Sequence, residues 1–507
     1  MTKIDVTKWS KRNVWPTADG QLAVRPGLRR IATPTAGRRW VAGFSVQNPW
    51  TLDVWHYVAD VSTAGHDLVV RIFDDDWVEW QAFATGVDGI PRGFSHGVVE
   101  GEIMVGGAGM PTLWGYVGGP LTLATKVDSD NPGTTAINVP SGIVAAVLNR
   151  IVIADGASLY ISDPAAITGG SIRTFVAQNQ NQRPGVIFGI HEGAGGMLVC
   201  VTSAGVYGLD PSAFSVQIVG SNGTDWRLLN RNEAYSYDSS VNVRGRIYAL
   251  TRRGFALVDV EGGDEVSLDD PIVPTYLTRR AASPDWRTAR IYEGDDGPVI
   301  ADDAAIGSSG PAAHFVDLTT GVRSWWTCFV AGASTSWKPR GILRDPDGAA
   351  MVLSEDGVYA IGGNVDAGQL LSTEADVQGV GILFGAIRSD PDDNPTLRKV
   401  TWSASLGGSG SLIVCARGVP QTGGGGGTSV TPTADSRGLI IGTDSWGASG
   451  KLYEPTPMAT ASWDCNFNSA DQSLELRSST PSTRLGPVAV VDVSDSAPKR
   501  TPTRGAP

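Results

Sequence analysis

Cysteine and histidine are scarce in this chain of 507 residues. Its four cysteines, Cys200, Cys328, Cys415 and Cys465, lie far apart and form no CxxC pair. That excludes zinc ribbons and dithiol redox motifs and leaves buried free thiols as the reading. No two of the five histidines stand four residues apart, so the HExxH pattern is missing. There is no run of roughly 18 apolar residues, and Met1-Thr2-Lys3-Ile4-Asp5 leads into more charge rather than a leader's apolar core. A soluble chain with no cleaved leader is expected. No phosphate-binding G-x-x-x-x-G-K-[ST] loop occurs, and Gly193-Ala194-Gly195-Gly196 misses the dinucleotide spacing. Neither a cofactor nor a bound metal is expected.

What the chain has instead is glycine, proline and apolar residues: 64 Gly, 30 Pro and 41% hydrophobic positions. This apolar fraction excludes global disorder, and the glycines follow no three-residue period, which excludes collagen. The length exceeds what one core organises. Charge is uneven: residues 1–40 hold nine basic and two acidic residues, net +7, and the last eleven add +3. The total of −12 therefore leaves −22 for residues 41–496. An acidic body repels nucleic acid, whereas basic arms suit an acidic partner surface.

The body repeats. An apolar strand, a turn with glycine and a second strand recur as Arg150–Tyr160, Leu198–Tyr207, Arg246–Ala256 and Met351–Tyr359, with turn glycines at 156, 205, 254 and 357. The spacing is near fifty residues, doubled across the last interval. Degenerate copies lie at 291–321, at Ile103–Trp114 and at Leu68–Trp77. Fifty residues hold two hairpins, or one four-stranded blade, and six or seven blades make a β-propeller. The absence of 3.6-residue periodicity speaks against helical solenoids; packed β-sandwiches are the alternative. Alternating segments such as Val400–Ala404 and Val488–Val493 continue after the repeats. The expected layout is all-β: a basic arm (1–40), a propeller (41–372), a β-sandwich-like domain (373–495) and a basic flexible tail (496–507).

Chemistry-bearing patterns are few. Gly93-Phe94-Ser95-His96-Gly97 matches the G-x-S-x-G nucleophile elbow, but strand-like residues follow where a helix is required, so a turn entering a blade is the reading. Carboxylates cluster at Asp74-Asp75-Asp76, Asp302-Asp303 and residues 390–393. They fit neither an EF-hand nor the sialidase Asp box, which Ser354-Glu355-Asp356-Gly357 resembles only in part, and strand-ending turns explain them. Among the 16 tryptophans, Trp77 with Trp80 and Trp325 with Trp326 are expected to pack between blades or at subunit contacts. No catalytic residue is expected, and the chain is read as a non-enzyme.

The segment Trp15-Pro16-Thr17-Ala18-Asp19-Gly20-Gln21-Leu22-Ala23-Val24-Arg25-Pro26-Gly27-Leu28-Arg29-Arg30, together with Arg484-Leu485-Gly486-Pro487, resembles the tail nozzle proteins of short-tailed bacteriophages, also called packaged-DNA-stabilisation or tail accessory proteins. The resemblance implies a structural virion protein at the distal tail, a propeller followed by a sandwich, and a six-fold ring of copies. Its partners would be an adaptor or portal-proximal protein, a tail fibre or spike, and DNA passing without sequence-specific contact. Trp15, Arg25, Pro26, Gly27, Leu28, Arg29 and Arg30 are the expected interaction residues, reaching a neighbouring subunit or the adaptor. The alternative is a carbohydrate-binding or depolymerising propeller used in host adhesion.

Overall fold

In the computed structural model, side chains are described for residues 15–16, 25–124, 139–162, 164, 185–212, 226–231, 233–234, 236–250, 290–301, 313, 315–319, 324, 326 and 337–362. Elsewhere only the backbone of the strands named below is described.

Six separate four-stranded antiparallel sheets form blades, five of them with their strands in chain order. Blade 1 holds Arg38–Gln47, Val54–Ser62, Val69–Phe73 and Glu79–Ala84; blade 2 holds Arg92–Val99, Glu102–Ala108, Leu113–Tyr116 and Thr122–Leu123. Blade 3 is Ile143–Val147, Arg150–Asp155, Ser158–Ser162 and Phe175–Ala177; blade 4 is Ile187–Glu192, Leu198–Thr202, Gly205–Leu209 and Trp226–Asn230. Ser240–Val243, Arg246–Leu250, Ala256–Asp259 and Glu265–Ser267 make blade 5. A further four-strand run, Arg290–Glu293, Pro298–Ala305, Pro311–Val316 and Arg323–Trp326, continues through Ser10–Arg12 into a larger sheet and occupies the sixth sector. The last blade combines Pro339–Arg344, Ala350–Ser354 and Gly357–Ile361 with Leu28–Ala32 as its outer strand. The first strand of each blade contacts the first strands of the blades on either side, and that of the last touches blade 1, so the ring is closed. The fold is a β-propeller.

The apolar runs that reveal the repeat are second strands, buried on both faces, so they read as continuous rather than alternating. In blade 3, Ile151 and Ile153 pack toward blade 2 while Val152 and Ala154 pack toward blade 4. Blade 4 divides the same way, Leu198 and Cys200 toward blade 3 and Val199 and Val201 toward blade 5. Cys200 is a buried free thiol. Seven clusters of buried apolar residues result, one at each contact between neighbouring blades. Near the axis the strands approach so closely that a Cβ on Gly97 would stand 2.7 Å from the carbonyl carbon of Ala145. Of the repeat glycines, Gly156 lies in the turn between second and third strands with φ +58°, whereas Gly205 and Gly357 open the third strands of their blades. Gly254 lies outside the described residues. In blade 1 the expected unit 68–77 lies one strand too late: the second strand is Val54–Ser62, whose polar His56 and Asp60 interrupt the apolar run.

The boundary expected at residue 40 is corrected. Leu28–Ala32 completes the last blade, with Leu28 paired to Ile361 and Ala32 to Val358, and Arg38–Trp40 already belong to blade 1. Thr2–Asp5 and Leu22–Val24 pair with Arg484–Ser494, and Ser10–Arg12 pairs with Gly381–Arg388. After the propeller the backbone forms two groups of strands. Thr396–Ser405 pairs with Ala459–Asn468 and with Arg484–Ser494. Gln472–Ser478 pairs with Gly381–Arg388 and with Gly410–Ala416. The tail 496–507 lies outside the described residues.

Leu28 is 0% exposed in the closing strand. Leu28→Ala is expected to cost about 2–5 kcal/mol, read as a lowered midpoint in the denaturant transition of the propeller. Removing residues 1–40 takes away one strand of the last blade and should abolish that transition rather than leave an intact propeller. A truncated chain with an unchanged transition would contradict this closure.

Candidate functional site

The residues singled out in the amino-terminal segment are occupied within the chain itself. Trp15 meets Trp326 and Phe315 edge-on, at ring-centre distances of 5.4 and 6.1 Å. Arg25 is 1% exposed; its Nη1 donates to the Pro26 carbonyl at 2.6 Å, and its guanidinium lies 5.7 Å from the centre of the Trp326 ring. The Gly27 carbonyl accepts from the Gly362 N–H at 2.9 Å. Leu28, Arg29 and Arg30 are strand residues paired with Ile361, Ala360 and Tyr359. Arg30 lies 3.6 Å from the Asp356 carboxylate, and Arg39 lies 3.5 Å from Glu355. Arg38 pairs with buried Asp60, which also accepts from Arg71 Nε at 2.6 Å. Arg25, Gly27 and Leu28 are thus buried by their own chain, whereas Trp15, Pro26, Arg29 and Arg30 stay half-buried. The segment's cations answer carboxylates of the same chain.

The serine of Gly93-Phe94-Ser95-His96-Gly97 lies on the first strand of blade 2, beside a bulge between Arg92 and Ser95. Its Oγ accepts from the Val144 N–H at 2.8 Å and thereby ties blade 2 to blade 3. Ser45 does the same between blades 1 and 7, accepting from Arg344 N–H at 2.8 Å. Ser354-Glu355-Asp356-Gly357 is a turn in which Asp356 accepts from Ser354 and Tyr359 hydroxyls, both at 2.7 Å. Asp74 closes another turn, accepting from Val78 N–H at 2.8 Å. Among the described residues no three acidic, histidine or cysteine side chains converge as metal ligands would.

The first strands enclose an axial cavity of about 310 Å³ that every blade lines. On the side of blades 1–4 its wall is neutral, with Phe44, Phe94 and Phe188 beside Ser45, Ser95, His96 and His191. The Phe44 ring stacks on His96 at 4.0 Å, and His191 Nε2 is hydrogen-bonded to Ser240 Oγ at 2.8 Å. Burial lowers both imidazoles to a pKa of about 4, so they are uncharged at neutral pH. On the side of blades 5–7 the wall carries Asp238, Arg290, Tyr292, Glu293, Arg340 and Arg344. Burial raises the Asp238 carboxyl against the opposing influence of Arg290 and the Gly93 N–H, and pushes the Tyr292 hydroxyl up to about 12. Sequence reading missed this set because it is divided among three segments, at Asp238, Arg290–Glu293 and Arg340–Arg344, some fifty positions apart. The first-strand register, and not any local motif, brings them together.

A different surface is apolar. Trp50 and Trp80 are 65% and 64% exposed and Tyr116 is 48% exposed, at the seam of blades 1 and 2. Contacts join them: Trp50 lies over Gly101, whose carbonyl accepts from Val117 N–H at 3.0 Å. Gly118 lies against Trp55, and Trp55 stands 6.3 Å from Trp80. Trp77, expected to pack, stacks on His56 at 4.4 Å, and Trp326 stacks on Phe315 at 3.9 Å. Trp80, on the outer strand of blade 1, is exposed in the single chain.

His56 supplies a pH test. It is buried, bonded through Nδ1 to Ser45 Oγ at 2.9 Å, and burial lowers its pKa from 6.5 to about 4. Between those values the unfolded chain binds a proton that the native state refuses. Its contribution is thus complete above pH 6.5 and is lost as pH falls toward 4, by roughly 3 kcal/mol. Denaturation midpoints of His56→Phe, which keeps a ring against Trp77, should fall less steeply over this window than those of the parent chain. Parallel slopes would show that His56 does not contribute.

No family model and no curated protein matches the chain. Among solved structures it is similar to YCF48 bound to D1 peptide, at 13% identity over 69% of this chain and all of that one, with a TM-score of 0.40. It is also similar to the extracellular domain of hybrid two-component system BT3049 of B. thetaiotaomicron, at 9% identity, 83% and 56% coverage and a TM-score of 0.44. PorZ, a surface component of the type-IX secretion system of Porphyromonas gingivalis, aligns at 12% identity, 71% and 42% coverage and 0.37. The chain thus spans about half the length of the latter two. The propeller assignment rests on this chain's own strand pairing and closed ring of contacts.

Proposed function

We propose that the chain is a non-catalytic structural subunit of a bacteriophage tail, the distal nozzle, that joins further copies in a six-fold ring in the virion. The observation that carries ring assembly is the exposed aromatic seam of blades 1 and 2, because several large exposed aromatic side chains on an otherwise acidic body mark a protein contact. The axial cavity of one propeller, about 310 Å³, is too small for a duplex whose major groove alone is about 12 Å wide. DNA would pass between copies, along walls whose net negative charge repels phosphate. The strand groups after the propeller would face one another as a sandwich. That unit, held by the amino-terminal strands, would meet the adaptor or portal-proximal protein and the fibre or spike. Ser95 and the turn carboxylates are committed to backbone contacts, which supports a role without hydrolysis. A second reading draws on the same seam, since exposed indole rings also stack on sugars; it makes the chain a host-glycan adhesin.

Native mass measurement and class averages of the purified chain should show a six-fold ring. The Trp50→Ala, Trp80→Ala double variant should release folded monomers. A chain that stays monomeric at tens of micromolar and binds glycans through these tryptophans would replace the nozzle reading with the adhesin.

Ser95→Ala should lower stability by about 1 kcal/mol through the lost latch and change no ester- or glycan-cleaving rate. Loss of a measurable hydrolase activity in that variant would overturn the non-catalytic assignment.

A further inference from the structure

The axial cavity holds an arginine that, among the described residues, makes no ion pair. Three arginines line it, and two are committed: Arg340 donates through Nε to Glu355 at 3.0 Å, and Arg344 pairs with Asp295. Arg290 differs. Its Nη1 donates to the Val41 carbonyl at 2.9 Å, and among the described residues no carboxylate comes within ion-pair distance of it. Asp238 feels the Arg290 charge yet makes no ion pair among those residues; its Oδ2 accepts one long bond from Gly93 N–H at 3.3 Å. The buried Tyr292 hydroxyl has the Arg290 guanidinium as its neighbour and meets it only loosely. A cation and a carboxylate that face one cavity without meeting in an ion pair are incompletely compensated, and a ligand bearing the complementary groups can bridge them.

We propose that the axial cavity binds a small amphoteric carboxylate, of the size and class of a free amino acid, with its carboxylate on Arg290 and its ammonium group on Asp238. A guanidinium with unused N–H groups offers a carboxylate paired, parallel hydrogen bonds. The volume of about 310 Å³ holds roughly ten waters' worth of space, enough for such a molecule. The rings of Phe44, Phe94 and Phe188 on the opposite wall would receive an apolar body. The site lies on the propeller axis, away from the aromatic seam, so it stands whether or not the chain forms a ring.

Calorimetric titration of the full chain with L-leucine, 4-methylpentanoate and isoamylamine tests both contacts, since the second probe lacks the ammonium group and the third the carboxylate. L-Leucine should bind, and each truncated probe should bind about ten- to a hundredfold more weakly. Arg290→Lys keeps a cation but loses the fork, and Asp238→Asn keeps an acceptor for Gly93 but loses the charge. Both should weaken L-leucine by a similar factor while retaining the parent's thermal transition. Should one variant fail to fold, the other and the three-probe ranking still decide. No binding by any probe, equal binding by all three, or unchanged L-leucine affinity in a folded variant would overturn the site.

Discussion

Everything in this propeller depends on burying second strands on both faces. A sheet apolar on both sides is stable only with a neighbour on each, so a linear row of blades would leave two greasy ends. The row must close on itself. Here closure is made by main-chain hydrogen bonds between Leu28–Ala32 and Gly357–Ile361, and by Leu28 in the cluster that joins blades 6 and 7. The charge pairs Arg30 with Asp356 and Arg39 with Glu355 lie beside that joint. Being partly solvated, they add little energy, but they fix which strand fits and in which register.

The fold was legible where burial leaves a local signature. Arg150–Tyr160 and Met351–Tyr359 show an apolar second strand, a glycine turn and a third strand within eleven residues or fewer, and each proved to be the centre of a blade. Blade 1 was misaligned because its second strand buries two polar side chains: His56, bonded through Nδ1 to Ser45, and Asp60, paired with Arg38 and Arg71. Leu28–Ala32 was invisible as a blade strand because its partner lies more than three hundred residues away. Its arginines read as an arm for another molecule; the structure shows that a basic segment also serves an acidic body from within.

The axial residues show a related limit. Ser45, Ser95, Asp238 and Arg290 are ordinary in their own segments, and only radial symmetry makes them neighbours. Two of these serines act as latches that accept a backbone N–H from the next blade, a task for which a hydroxyl near a sparse strand edge is well suited. The aromatic seam was half legible. Sixteen tryptophans announce large apolar surfaces, but whether an indole is buried, as Trp326 is, or exposed, as Trp80 is, depends on what packs against its face, which no local pattern shows.

The closing strand also imposes an order on biosynthesis. Leu28 and its partner Ile361 are separated by 333 residues, so at about 5–20 residues per second a ribosome needs roughly 17–67 s between them. During that interval the early strand waits without its sheet, and the first blade shows an uncovered apolar flank to solvent. The nascent chain is thus a sticky open arc whose last blade, once made, competes with other molecules for a segment synthesised long before. A three-stranded last blade left open could equally accept the early strand of another copy, which makes strand exchange between chains the characteristic misassembly of this architecture.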